Sequence, residues 1–140
     1  MLAYLDHQAS TPCDPAVLAA MAPWWSEQAA NPSSRGHRPG LTAAAAVERA
    51  RGQVATALGA EPEAVVFTSG ATEANNLALK GVAEAALERY EARRTLVSLV
   101  SEHRAVLDPL RYLESHGFPL RLLPVDGGGL VAMEGLEAAH

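Results

Sequence analysis

The sequence predicts an α/β fold, a parallel βαβαβ arrangement preceded by a helical N-terminal segment. Three observations carry that expectation. Past residue 60 the apolar pattern changes from helical spacing to short runs, Val65-Val66-Phe67, Leu96-Val97-Ser98-Leu99-Val100 and residues 120–125, which suit strands better than helices. Helix-favouring segments separate those runs, and an alternating order of this kind implies right-handed crossovers and parallel strands with helices on the faces. The chain also has 140 residues of which 49% are hydrophobic, enough apolar content to build a core and far from a disordered composition.

Each element has a local reason. Asp14-Pro15 reads as an N-cap followed by proline at the first helical position, and Val17, Leu18, Met21, Trp24 and Trp25 then recur at helical spacing, predicting a short helix bent at Pro23. Asn31-Pro32-Ser33-Ser34-Arg35-Gly36-His37 is dense in turn formers, so residues 31–40 read as a loop. Between 41 and 58 an Ala-rich helix is expected with Val47, Ala50, Val54 and Leu58 as its apolar stripe and Gly59 as a left-handed cap. Thr68-Ser69-Gly70 punctuates the step from a strand at 65–67 into a helix over 71–93. A strand at 96–100, apolar at four of five positions as in a parallel strand covered on both faces, leads to a helix over 108–115 stopped by Gly117. A third strand at 120–125, a turn at Asp126-Gly127-Gly128-Gly129 and a helix beginning at Gly135 complete the chain. Three parallel strands leave exposed edges, and the last helix has only begun at His140, so the architecture reads as interrupted.

Composition narrows the function. Sixteen acidic against eleven basic residues give a net charge of −5, which offers phosphate backbones and anionic lipid no attraction. No apolar run approaches the roughly 20 residues that cross a bilayer, and Met1 leads into Tyr4-Leu5-Asp6 without a basic leader, so a cytoplasmic protein without nucleic-acid or membrane partners is expected. Cys13 is the sole cysteine, and no zinc-type spacing links it to His7, His37, His103, His116 or His140. Lys80 is the sole lysine.

Three places suit chemistry. The turn Ser69-Gly70-Ala71-Thr72 stands at a helix N-terminus, where free N–H groups, the helix dipole and a hydroxyl favour an anion. Simple capping is the commoner use of such residues, and the turn is neither a Walker loop nor a G-x-G-x-x-G fingerprint. His103 lies just past the carboxyl end of the 96–100 strand, on the rim expected to hold Thr72, where an imidazole can stack on a flat ligand or transfer protons. A solvent-exposed loop histidine is the plainer alternative. The 31–40 loop offers Asn31, Ser33, Arg35 and His37, although a polar loop is usually a connection. Cys13 has no neighbouring base in sequence and reads as packing rather than a nucleophile.

Four blocks taken together resemble the cysteine desulfurases of the pyridoxal phosphate-dependent class V aminotransferase family. They are Tyr4-Leu5-Asp6-His7-Gln8-Ala9-Ser10-Thr11-Pro12; Asn31-Pro32-Ser33-Ser34 with His37 and Gly40; Val66-Phe67-Thr68-Ser69-Gly70-Ala71-Thr72-Glu73-Ala74-Asn75-Asn76; and Ser101-Glu102-His103-Arg104-Ala105-Val106-Leu107. They occur in the family's order, with mild departures at Gln8, Ser10 and Cys13. The resemblance implies part of the large domain of a fold-type I enzyme. It implies that Ala71 and Thr72 bind the phosphate of pyridoxal 5'-phosphate, and that His103 is catalytic, stacking on the pyridine ring and assisting proton transfer. It implies a loop at 31–40 beside the active site and a dimer contact.

A complete relative would take sulfur from L-cysteine, giving L-alanine and a persulfide for iron–sulfur cluster assembly or other sulfur transfer. It would act as a homodimer with a sulfur-accepting scaffold as partner. The family's cofactor-holding lysine, pyridine-nitrogen aspartate, carboxylate-binding arginine and sulfur-accepting cysteine match nothing here. Lys80 lies eight residues beyond Thr72, about 12 Å along a helix at ~1.5 Å per residue, and Cys13 does not match the loop cysteine. The expectation is therefore an N-terminal portion, inactive alone, with an arm, loop and helices at 1–60 and a partial cofactor-binding α/β domain at 61–140. Two alternatives stand beside it: a non-catalytic binding or dimerisation module, and a class V enzyme for another substrate, such as a selenocysteine lyase or an aminotransferase.

Overall fold

The computed structural model describes residues 3–89 and 94–137, which fall into two compact units, Met1–Val66 and Phe67–His140. In the first, α1 (Pro15–Met21) starts as its sequence predicts: the Asp14 carboxylate accepts the Ala16 N–H at 2.7 Å and Pro15 takes the first helical position. The chain then tightens into a 3-10 turn, Ala22–Trp25. Pro23, which brings no N–H, is where the α-helical ladder gives way.

The long helix α2 (Arg38–Leu58) begins three residues before the expected start, because His37 caps it by accepting the Gly40 N–H on Nδ1 at 3.1 Å. Gly59, at φ 64°, closes it in the left-handed conformation. The stripe expected on α2 is corrected by the structure. Leu58 is 73% exposed and Val54 is also exposed, whereas Gly40, Ala43 and Ala55 are the buried positions. The buried face is made of small residues, and at Gly40 other backbone passes close to it. A Cβ on Gly40 would stand 1.8 Å from the Ser34 carbonyl oxygen.

No strand forms at 65–67, a second correction. Val65 has an extended backbone, but its N–H donates to Pro62 O, closing the 3-10 turn Pro62–Ala64, and its carbonyl accepts from Arg51 Nη1 of α2. Backbone groups used this way are not available to a sheet ladder.

In the second unit α3 (Ala71–Glu88) precedes β1 (Leu96–Leu99), α4 (Arg104–Ser115), β2 (Leu120–Leu123) and α5 (Met133–Glu137). The expected ends of the first and last of these helices, at 93 and 140, lie outside the described residues. β1 and β2 pair in parallel, Leu96 with Leu120 through Leu99 with Leu123. The parallel βαβ crossover is thus present, in a sheet of two strands among the described residues. β1 is not covered on both faces as expected: Val97 and its partner Arg121 are exposed, while Leu96, Leu99, Leu120 and Leu123 are half-buried. β2 is also shorter than expected, since Val125 leaves the parallel ladder for an antiparallel bridge to Val131. The intervening turn closes on the Asp126 carboxylate, which accepts the N–H groups of Gly128 and Leu130.

The core of this unit is Ala83, Leu113 and Phe118, with Leu79 and Leu96 packed against it. It is modest in size and sits where α3, α4 and the start of β1 meet. α4 is longer than expected by four residues at its front. Its buried face, Ala105, Pro109, Leu110 and Leu113, continues one helical stripe through the proline. Among the described residues no helix is long and apolar enough to cross a membrane.

Candidate functional site

α3 starts without a side-chain cap. Its N-cap is Gly70, extended at φ 158° and ψ −175°, and the first helical bond runs from Ala74 N–H to Gly70 O at 3.1 Å. Ala71 and Thr72 occupy the first two helical positions, so their N–H groups have no partner within the helix. Both residues are exposed, no hydrogen bond from the described residues ties down the Thr72 hydroxyl, and a Cβ on Gly70 would meet nothing within 4 Å. Helix-end donors on exposed residues and the positive end of an 18-residue helix suit a phosphate group. The residues present therefore fit the anionic end of a cofactor.

His103 is the N-cap of α4. Its Nδ1 accepts the Ala105 N–H at 3.0 Å, and its carbonyl accepts from Val106 and Leu107. A backbone N–H can only donate, so Nδ1 bears no proton in this arrangement and the neutral ring carries its hydrogen on Nε2. The ring is exposed. The chain reaches it directly from the sheet: Val100 N–H donates to Leu123 O one residue past β1, and Glu102 N–H turns back onto Leu99 O.

α4 joins two parallel strands, so it runs against them and begins at the carboxyl end of β1. Lys80 of α3 places Nζ 4.2 Å from the ring centroid of Tyr112 on α4, and Ala83 of α3 clusters with Leu113 of α4 and with Phe118, just past its end. Thr72 and His103 thus stand at the starts of two helices that pack against each other. The two adjacent strands expected to carry them are not both present among the described residues, since 65–67 forms no strand; α3 and α4 pack together instead.

Other sequence candidates sort differently. Lys80 is engaged with Tyr112, two turns and more from the helix start. In the 31–40 loop, Asn31 Oδ1 accepts the Ser33 N–H at 2.9 Å and His37 caps α2, so both side chains shape their own backbone. Cys13 is exposed.

Glu73 was not singled out from the sequence. Its Oε2 accepts the Ser69 N–H at 2.6 Å and the Ser69 hydroxyl at 2.7 Å. Those bonds, the backbone one first, hold its carboxyl below the usual glutamate range, with slight burial opposing. The available signal was the Ser69–Glu73 spacing at a helix start, a displaced relative of the capping box.

A parallel βαβ unit whose helix N-termini present an anion cradle and a histidine is the architecture of phosphate-bearing cofactor enzymes built on α/β sheets. The chain belongs to the family described as aminotransferase class-V, which matches residues 3–139. It is 47% identical over 137 residues to cysteine desulfurase IscS of Rickettsia akari (strain Hartford), covering 97% of this chain and 32% of that protein. It is 48% identical over 137 residues to cysteine desulfurase of Homo sapiens, covering 97% and 29%. Among solved structures, a NifS-like protein superposes with a TM-score of 0.81 at 40% identity, covering 99% of this chain and 37% of the other. A structure titled SspA in complex with cysteine gives 0.78 at 41%, covering 98% and 38%. The chain thus spans about a third of the length of the relatives it matches.

Proposed function

We propose that this chain forms the phosphate-anchoring and histidine-bearing part of a pyridoxal 5'-phosphate-dependent cysteine desulfurase, an enzyme that takes sulfur from L-cysteine and leaves L-alanine. The observation that carries the reading is a pair of packed helices whose starts differ, one uncapped and one capped by His103. Near 47% identity to cysteine desulfurases across 97% of the chain supports the choice of substrate. The Ala71 and Thr72 N–H groups and the Thr72 hydroxyl bind the cofactor phosphate. Pyridoxal phosphate supplies the electron sink that makes bonds of a bound amino acid labile. His103 faces that ring and donates through Nε2–H while Nδ1 keeps α4 capped. In this reading residues 61–140 are the chain's share of the cofactor-binding domain, the assembled enzyme is a homodimer, and the released sulfur passes to a scaffold protein for iron–sulfur cluster assembly.

The test compares binding of pyridoxal 5'-phosphate with that of pyridoxal, which lacks the phosphate, by equilibrium dialysis on the 140-residue chain. Preference for the phosphorylated form by about tenfold, as charge-assisted bonds to the phosphate imply, and its loss on Thr72→Pro are the expected results. Equal binding of both probes overturns the reading. Borohydride treatment of the mixture is expected to leave Lys80 unmodified, since its ammonium is occupied at Tyr112.

A further inference from the structure

The carboxylate of Glu73 occupies an unusual place for its position in the helix. A glutamate at the third helical residue ordinarily reaches back to the N–H of the N-cap itself. In α3 that cap is Gly70, and Glu73 passes it by, taking both the N–H and the hydroxyl of Ser69 on one oxygen. Three consequences follow from geometry. The Ser69–Gly70 bend is tied to the first turn of α3 by two short charge-assisted bonds. The Ser69 hydroxyl is spent on Glu73. And the carboxylate, bound to Ser69, leaves the Ala71 and Thr72 N–H groups without a side-chain acceptor.

We infer that Glu73 is a positioning residue for the anion cradle: it fixes the Ser69–Gly70 bend so that the Ala71 and Thr72 donors converge on one phosphate, and it withdraws Ser69 from that phosphate. This rests on the reading that Ala71 and Thr72 receive the cofactor phosphate. The sign of its effect separates it from plain electrostatics. A carboxylate near an anion repels it, so if charge were its whole influence, removing it would tighten phosphate binding. If it positions the cradle, removing it weakens binding, and a neutral side chain that still offers an oxygen restores most of it.

The experiment measures the ratio of pyridoxal 5'-phosphate to pyridoxal affinity for the full chain, its Glu73→Ala and Glu73→Gln variants, and Ser69→Ala. Hydrogen exchange at the Ser69 amide is followed in each, and circular dichroism checks that α3 persists. Glu73→Ala is expected to lower the ratio about tenfold, the worth of a charge-assisted bond, and to speed Ser69 exchange. Glu73→Gln is expected to stay within about threefold of the parent, and Ser69→Ala, which keeps the backbone bond, to fall between. A Glu73→Ala ratio equal to or above that of the parent overturns this inference while leaving the phosphate reading intact. A parent chain with no preference for the phosphorylated probe overturns both.

Discussion

Gly40→Ala and Gly52→Ala make the same chemical change in the same helix, and the structure predicts opposite outcomes. At Gly52 an added Cβ meets nothing within 4 Å, so alanine only improves the helix, by about 0.8–1 kcal/mol. At Gly40 the added Cβ would lie 1.8 Å from the Ser34 carbonyl oxygen and 2.8 Å from its carbon. Those atoms are backbone and cannot rotate away. Restoring a tolerable contact of about 3.2 Å requires the 31–37 loop to retreat by roughly 1.4 Å, an overpacking that typically costs 1–3 kcal/mol. The same retreat loosens the 3.1 Å bond from Gly40 N–H to His37 Nδ1, a cap worth about 1 kcal/mol. The two variants should therefore differ by roughly 3–5 kcal/mol in urea unfolding followed by circular dichroism, with Gly52→Ala above the parent and Gly40→Ala below. Two variants of equal stability, or a Gly40→Ala that gains stability, would refute the close approach of this loop to α2.

Three further outcomes are expected. His103→Ala removes the cap of α4 and should cost about 1 kcal/mol, whereas His103→Asn keeps an acceptor there and should lose little; equal losses in thermal unfolding would show that the ring does not cap. Glu73 has its carboxyl held below the usual glutamate range by Ser69, so its contribution is complete above that range and is lost as pH falls through its own lowered value. Ser69 amide protection should accordingly weaken on acidification, as the charge that strengthens both bonds is neutralised while an acceptor oxygen remains, and be pH-independent in Glu73→Gln; a pH-independent parent would contradict the bond. Phe118, 3% exposed in the core of the second unit, should cost about 3–5 kcal/mol when cut to alanine, seen as loss of a cooperative melt; an unchanged melt would mean that the core lies elsewhere.

The limits of the sequence show in one dipeptide that occurs twice. Asp14-Pro15 and Asp108-Pro109 both carry the cap-then-proline signature of a helix start. At the first the signature is true, with the Asp14 carboxylate on the Ala16 N–H. At the second the helix is already five residues old, and Pro109 sits inside it on the buried face. What distinguishes them is tertiary: Ala105 is buried against the rest of its unit and His103 supplies the cap, while nothing in the local string weighs those contacts. His37 repeats the lesson, since histidine is a less usual cap and both helices it begins were expected to start late. The strand expected at 65–67 failed for a related reason. Its β-branched and aromatic composition fits a strand, but pairing is a long-range property, and at Val65 the Pro62–Ala64 turn and Arg51 claim the backbone first. The parallel pairing of 96–99 with 120–123 was legible because a helix between two apolar runs implies a βαβ crossover, whatever the details of either run.

The placement of His103 ties its rotamer to the secondary structure of α4. An exposed imidazole on a loop would sample several orientations, whereas one whose Nδ1 ends a 12-residue helix is held to the few that keep the Ala105 bond. The helix in turn is anchored by Leu110 and Leu113 in the core and by Tyr112 against Lys80. The ring therefore inherits the stiffness of the packed α3–α4 pair. The ring nitrogens are not equivalent: Nδ1 ends α4 by accepting the Ala105 N–H, so a hydrogen placed there would break the cap.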